Sequence, residues 1–233
     1  MITKITTTTL DRGLAQGPDR WLLAPDGGLI HPDEGTVVIA DVHLGYDWAR
    51  AAKGDVLPAF TLRQTLERLE RLLNRSGSAL RTLIVAGDLV ESPRPCARTA
   101  RDLAAMRSWL ESRGVALKAV RGNHDPWWRW DMEPTIAIDG WTIAHGHEPV
   151  DAAKLIVGHH HPALKLAGLD APCFLVGPSL IMLPAFSADA AGLHVATPTA
   201  SREWRQLRCW ASTGEELLDF GPLEQLAAKL SGS

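Results

Sequence analysis

Three short apolar runs in this chain each stop at polar residues of one chemical type. Thr36-Val37-Val38-Ile39-Ala40 ends at Asp41, and Leu83-Ile84-Val85-Ala86-Gly87 ends at Asp88. Ala116-Leu117-Lys118-Ala119-Val120 ends just before Arg121-Gly122-Asn123-His124-Asp125. Between them, Leu62, Leu66, Leu69, Leu72 and Leu73 recur at helical spacing, as do Leu103, Met106 and Leu110. Strand, helix, strand, helix, strand predicts an α/β sheet with covered faces. In such a sheet, function gathers outside the carboxyl ends of the strands, where these polar residues fall.

The second half reads differently. Ile136-Ala137-Ile138, Asp139-Gly140 and Trp141-Thr142-Ile143-Ala144 form a hairpin signal that runs into His145-Gly146-His147. Further runs at 155–157, 174–176 and 180–183, punctuated by Gly and Pro, predict a second, more antiparallel sheet. Near the start, Trp21 to Ile30 reads as two short strands about Pro25-Asp26-Gly27-Gly28. The expected architecture is an α/β two-sheet β-sandwich flanked by helices, four layers in the order α/β/β/α. One domain is expected over 1–233, with its motif core at about 36–187 and a tail, 201–233, carrying a helix near Leu223–Leu230.

Composition narrows the function. A length of 233 residues at 45% hydrophobic content is enough for a substantial core. A formal charge of −3 supplies no global field for nucleic acid, so any phosphate attraction must be local. Cys96, Cys173 and Cys209 are odd in number and widely spaced, which suits a reducing compartment better than a disulfide framework. No segment has the apolar core of a signal peptide or approaches the roughly 18 apolar residues of a membrane span. A soluble, cytoplasmic protein that makes no use of a membrane is expected.

The strand-end residues form one set of candidate ligands: Asp41, His43, Asp88, Asn123, His124, His145, and His159 with His161 in Ile156-Val157-Gly158-His159-His160-His161-Pro162. In extended backbone, residues i and i+2 share a face, so Asp41 with His43, and His159 with His161, each offer two ligands in one direction while His160 turns away. Imidazole mixed with carboxylate suits Mn, Fe, Ni or Zn rather than an all-oxygen cation site. Seven or so ligands are too many for one ion and suit two. A carboxylate is well suited to bridge ions about 3.5–4 Å apart, the spacing that clamps an in-line displacement at phosphorus.

The series DVH, GDLVE, GNHD, HGH and GHHH, in this order, resembles the calcineurin-like metallophosphoesterase superfamily. The resemblance implies that Asp41, His43, Asp88 and His161 hold one metal and that Asp88, Asn123, His145 and His159 hold the other, with Asp88 as the bridge. It implies that His124 faces the scissile phosphate without binding metal, and assists attack by metal-activated hydroxide. DVHLG, LIVAGDLVE, RGNHD, GHHHPALKL and PCFLVGPSLIMLPAFS are more narrowly similar to the bacterial DNA-ligase-associated metallophosphoesterases. That likeness implies a manganese-dependent phosphodiesterase or DNA endonuclease working in repair, in company with a ligase or helicase. Two departures stand out. The GDxxDRG pattern of protein phosphatases is absent, since Leu89-Val90-Glu91-Ser92 follows Asp88, and Glu91 occupies the place of the aspartate that orients the catalytic histidine.

Other residues have weaker readings. Arg50, Arg121 and Arg129 are candidate phosphate clamps. Trp127, in Trp127-Trp128-Arg129-Trp130, either stacks on a base or packs as a lid. His147 either supports a ligand or touches substrate, His31 and His160 face solvent or back a ligand, and His194 is structural. Three functions therefore compete: a phosphodiesterase on nucleic acid or a nucleotide, a phosphoesterase for a cyclic nucleotide or small molecule, and a non-catalytic protein-binding scaffold on the same fold. Oligomeric state is not legible.

Overall fold

The computed structural model describes residues 13–77, 80–125, 131–166, 168–197 and 204–226. Its first sheet is built from β1 (Ala15–Gln16), β2 (Leu22–Leu23), β3 (Leu29–His31), β4 (Thr36–Ile39), β5 (Thr82–Ala86) and β6 (Ala116–Val120), in that spatial order. Strands β1 to β4 pair antiparallel, whereas β4, β5 and β6 run parallel. The connections between the parallel strands carry α1 (Tyr46–Ala51), α2 (Thr61–Ser76) and α3 (Ala97–Glu111), as parallel pairing requires a crossover.

The second sheet contains β7 (Ile136–Ile138), β8 (Trp141–Ala144), β9 (Leu155–Val157), β10 (Pro162–Leu166), β11 (Leu169–Val176), β12 (Leu180–Met182), β13 (Leu193–His194), β14 (Arg208–Ser212) and β15 (Leu217–Pro222). It is mixed: β8, β9 and β12 lie parallel, and β7 is joined to β8 by Asp139 and Gly140 at φ 45° and 78°. Positive φ at both central residues is the geometry of a type I′ hairpin turn, which the Asp-Gly pair predicted.

Period-2 alternation decides which core each strand residue joins. Val37, Ile39, Leu83 and Val85 face α2 and α3, where they meet Leu69, Leu72, Met106 and Leu110. Their neighbours Val38, Ala40, Ile84 and Ala86 face the second sheet and pack with Ile143, Ile156, Phe174, Ile181 and Trp210. On the far face of that sheet Cys173, Leu175, Met182 and Cys209 are covered by Val195, Leu207 and the helical turn at 223–226. Burying a side chain of this size contributes about 1.5–3 kcal/mol, so a one-residue slip that exchanged faces would expose several at once, and the register is pinned.

The C-terminal region departs from expectation. A helix was expected near 223–230, but the described residues there form one helical turn at 223–226, and 227–230 lie outside the described residues. The same region supplies the β14–β15 hairpin, which pairs with β11 and widens the second sheet. Its alternation is broken by a β-bulge between Cys209 and Trp210, which hides the strand period from a local reading.

Candidate metal centre

Every candidate ligand lies just beyond the carboxyl end of a parallel strand. Asp41 and His43 follow β4, Asp88 follows β5, Asn123 and His124 follow β6, His145 follows β8, and His159 and His161 follow β9. The two sheets bring these ends together into adjoining groups. Ligand atoms of Asp41, His43 and His161 lie within 4.8 Å of one another, and so do those of Asp88, His145 and His159. The first group holds three of the four residues of one implied set and the second three of the four of the other, with Asp88 in the second only; His43, Glu91 and His124 form a third group beside them.

The backbone does this by a different route from the one expected. Asp41, His43, His159 and His161 are not extended: their φ values are 56°, 52°, 65° and 44°. Asp88 is also left-handed, at 47°. The i and i+2 rule for strands therefore does not apply, and His159 and His161, expected to offer two ligands in one direction, go to different groups. His159 joins His145, with ring centroids 4.9 Å apart, while His161 joins His43 at 5.3 Å. His160 turns to the Trp204 ring, 4.9 Å away. Left-handed residues other than glycine cost energy and persist where surrounding structure holds them, often at functional sites.

Glycines permit the close approach. A Cβ on Gly87 would lie 2.2 Å from His145 Nδ1, and one on Gly158 would lie 2.6 Å from Asp41 Oδ2. The ligands are further fixed by main-chain groups. The His159 amide donates to Asp41 Oδ2 at 2.9 Å, and the His124 amide donates to Asp88 Oδ1 at 2.8 Å. His145 Nδ1 donates to the Ala86 carbonyl at 3.1 Å, which leaves Nε2 to face Asp88 Oδ2 at 3.3 Å and Asn123 Oδ1 at 3.0 Å.

Electrostatics are those of an anionic pocket among imidazoles. Burial pushes the Asp88 carboxyl up, but the hydrogen bond and charge of His145, with the His124 amide, outweigh it and bring the pKa to about 2. Burial pushes His145 and His161 down, yet Asp88 acting on His145 and Asp41 acting on His161 leave both raised. His159 is lowered, first by burial and then by the charge of His145. Asp41 Oδ1 and both ring nitrogens of His43 are buried without a hydrogen-bond partner. Asp41 Oδ1 is 3.4 Å from His161 Nε2 and 3.6 Å from His145 Nδ1, contacts without hydrogen-bond geometry. Orphaned buried donors and acceptors converging on one point are costly unless a cation satisfies them, and mixed N and O donors suit a divalent transition metal.

Asp125, which the sequence reading did not single out, holds the floor of the site. Its buried carboxylate accepts from the amides of Leu89 at 3.3 Å, Val90 at 3.1 Å and Gly122 at 3.0 Å, tying the loop after β5 to the loop after β6. The signal was available, because aspartate in a Gly-Asn-His-Asp turn commonly accepts from nearby amides. The other candidates are more dispersed. Arg50 is ion-paired with Asp55 at 2.7 Å, and Arg121 is exposed. Trp127 and Arg129 lie outside the described residues. The His147 ring centroid is 5.1 Å from that of His145 and 6.1 Å from that of His159. His31 corrects an expectation: it is buried, edge-on to Trp21, with Nε2 3.1 Å from Asp139 Oδ2, and does not face solvent.

Among the described residues, no helix is long and apolar enough to cross a membrane. No curated protein sequence matches the chain. Among solved structures, the nuclease MPE of Pseudomonas putida superposes with a TM-score of 0.68 at 24% identity, over 89% of this chain and 98% of that one, a likeness of fold. The family model for calcineurin-like phosphoesterases matches residues 36–174 of the 233, a span that holds all the ligand groups described above. The chain belongs to the calcineurin-like phosphoesterases and is a metal-dependent phosphoric ester hydrolase.

Proposed function

We propose that this protein is a dinuclear phosphodiesterase that cleaves nucleic acid, single-stranded DNA in particular, in the manner of the ligase-associated repair enzymes. The observation that carries the reading is the pair of adjoining ligand groups, each with two imidazoles and a carboxylate. In this reading Asp41, His43 and His161 would hold one ion and Asn123, His145 and His159 the other, with Asp88 shared between them. Manganese is the metal preferred on the likeness to the ligase-associated enzymes, since the donor set of carboxylate, amide oxygen and imidazole suits Mn, Fe, Ni or Zn alike. Two divalent cations bound there supply Lewis acidity at the phosphoryl oxygens and lower the pKa of water toward neutrality.

The chain's own groups do the rest. His124 donates Nδ1–H to the Glu91 carbonyl at 2.5 Å, so its Nε2 is the nitrogen turned to the site, 4.0 Å from Asp88 Oδ2. In its doubly protonated form it donates from Nε2 to a phosphoryl oxygen as charge builds, or gives that proton to the leaving oxygen. Asp88, with its pKa near 2, stays a carboxylate at neutral pH. Arg121, exposed two residues before Asn123, is the described arginine offered to a flanking phosphate, and Arg50 would join it only by leaving Asp55. The preference for DNA over a small diester is supported by the motif resemblance and by the fold shared with a nuclease.

The test is hydrolysis of bis-p-nitrophenyl phosphate, p-nitrophenyl phosphate and a single-stranded DNA oligonucleotide by metal-stripped protein resupplied with Mn, Ni, Zn or Mg. Manganese-dependent cleavage of the diester and the oligonucleotide is expected, falling by about 10²–10⁴-fold in His124→Ala with metal content retained. Ester turnover without DNA cleavage would replace the nuclease reading with a small-molecule phosphoesterase. Silence on all three with metal bound would leave a binding scaffold.

A further inference from the structure

We propose that Glu91 is a positioning residue that serves two histidines with two different groups: its carboxylate sets the orientation of His43, and its main-chain carbonyl sets that of His124. The inference rests on the metal-centre reading above.

The geometry separates the two roles. Glu91 Oε2 lies 2.9 Å from His43 Nδ1, and the Glu91 carbonyl oxygen lies 2.5 Å from His124 Nδ1. A carbonyl only accepts, so His124 keeps a proton on Nδ1 and turns Nε2 to the site. The carboxylate likewise calls for the proton on His43 Nδ1, leaving Nε2, which is buried and without a partner, to point at Asp41 and His161. At 2.9 Å the two atoms are within reach of one another, although the ring is turned out of hydrogen-bond geometry. A carboxylate behind a ligand histidine fixes its tautomer and raises its basicity.

Glu91 reaches His43 because the parallel β4–β5 pairing continues past both strands. The Asp41 amide donates to Gly87 O at 3.2 Å, His43 to Asp88 O at 3.0 Å, Leu44 to Leu89 O at 2.9 Å, and Glu91 returns a bond to Leu44 O at 3.0 Å. Asp125 holds the amides of Leu89 and Val90 from the other side. The Glu91 backbone is therefore anchored independently of its side chain, and a substitution removes the carboxylate while leaving the carbonyl on His124. In the sequence pattern this position belongs to a side chain that orients the catalytic histidine; here main chain takes that role and frees the carboxylate for a ligand.

The experiment is manganese binding by isothermal titration calorimetry, with turnover of the diester, for wild type, Glu91→Ala, Glu91→Gln, His43→Ala, His124→Ala and the Glu91→Ala/His124→Ala double variant. Glu91→Ala is expected to weaken manganese affinity by about 10–100-fold with metal-free Tm unchanged. Glu91→Gln is expected to recover most of that, because its amide oxygen still accepts from Nδ1. His124→Ala should cut turnover by the same factor with or without Glu91. Unchanged metal affinity in Glu91→Ala, with no further loss in the double variant, would assign the carboxylate to His124 and overturn the proposal. Glu91→Gln binding as weakly as Glu91→Ala would make Glu91 a direct ligand and also overturn it. If His43→Ala leaves metal binding intact, it is the metal-centre reading that fails.

Discussion

Replacing Asp125 by alanine strands three main-chain donors in the floor of the site. The amides of Leu89, Val90 and Gly122 all bond its carboxylate, and the residue is 1% exposed. A buried donor left without a partner costs about 1–3 kcal/mol, which sets an upper range of about 3–9 kcal/mol for three. Part of this is already offset in the native protein. Burial pushes the Asp125 carboxyl up, and the amides of Val90 and Gly122 do not fully reverse the shift, so truncation recovers a desolvation cost. The net loss is therefore expected at the lower end, about 3 kcal/mol. For a chain of this length, 1 kcal/mol moves Tm by about 2–4 °C, so the metal-stripped variant should melt about 6–12 °C lower by circular dichroism. Asp125→Asn should lose less, since one oxygen still accepts and only one amide is opposed by an NH₂ group. Because the tether joins the loops that carry Asp88 and Asn123, manganese affinity should fall as well. A Tm within about 2 °C of wild type, with unchanged affinity, would refute the argument that Asp125 holds these loops.

Other outcomes follow from the same geometry. Gly87→Ala places a Cβ 2.2–2.5 Å from three atoms of His145 at a φ of 84°, and should abolish tight metal binding in titration calorimetry even if the protein folds. His160→Ala should leave manganese affinity within about twofold, while His159→Ala and His161→Ala each lower it at least tenfold, because only the last two belong to ligand groups. Metal removal should lower Tm, and resupply at about 100 times the dissociation constant should restore about 2.7 kcal/mol for each ion bound, read as a concentration-dependent melting shift. A Tm insensitive to chelator would contradict binding to the native state.

Much of the fold was legible because its signals are local. The runs ending at Asp41, Asp88 and Asn123 carry the period-2 alternation that assigns Val37 and Val38 to opposite faces, and the leucines of α2 repeat at helical spacing. The Asp139-Gly140 turn is written in two residues. The β14–β15 hairpin was missed because a bulge breaks its alternation, and the burial of His31 was missed because its partners, Trp21 and Asp139, come from other turns of the chain.

The sequence by itself therefore determined which residue types stand at the strand ends, and hence that the chemistry is that of imidazole and carboxylate acting on a divalent cation. The motif resemblance also implied a division into two sets, and only the tertiary structure decided how the backbone brings the members of each within reach. His159 and Asp41 are 118 residues apart, yet the His159 amide bonds the Asp41 carboxylate while the His159 ring joins the other group. Neither the left-handed turns at Asp41, Asp88, His159 and His161 nor the reach of Glu91 to His43 follows from any local period. Both depend on the register in which β4 meets β5 and on the packing of one sheet against the other, where the cost of strained backbone is offset by contacts made far away along the chain.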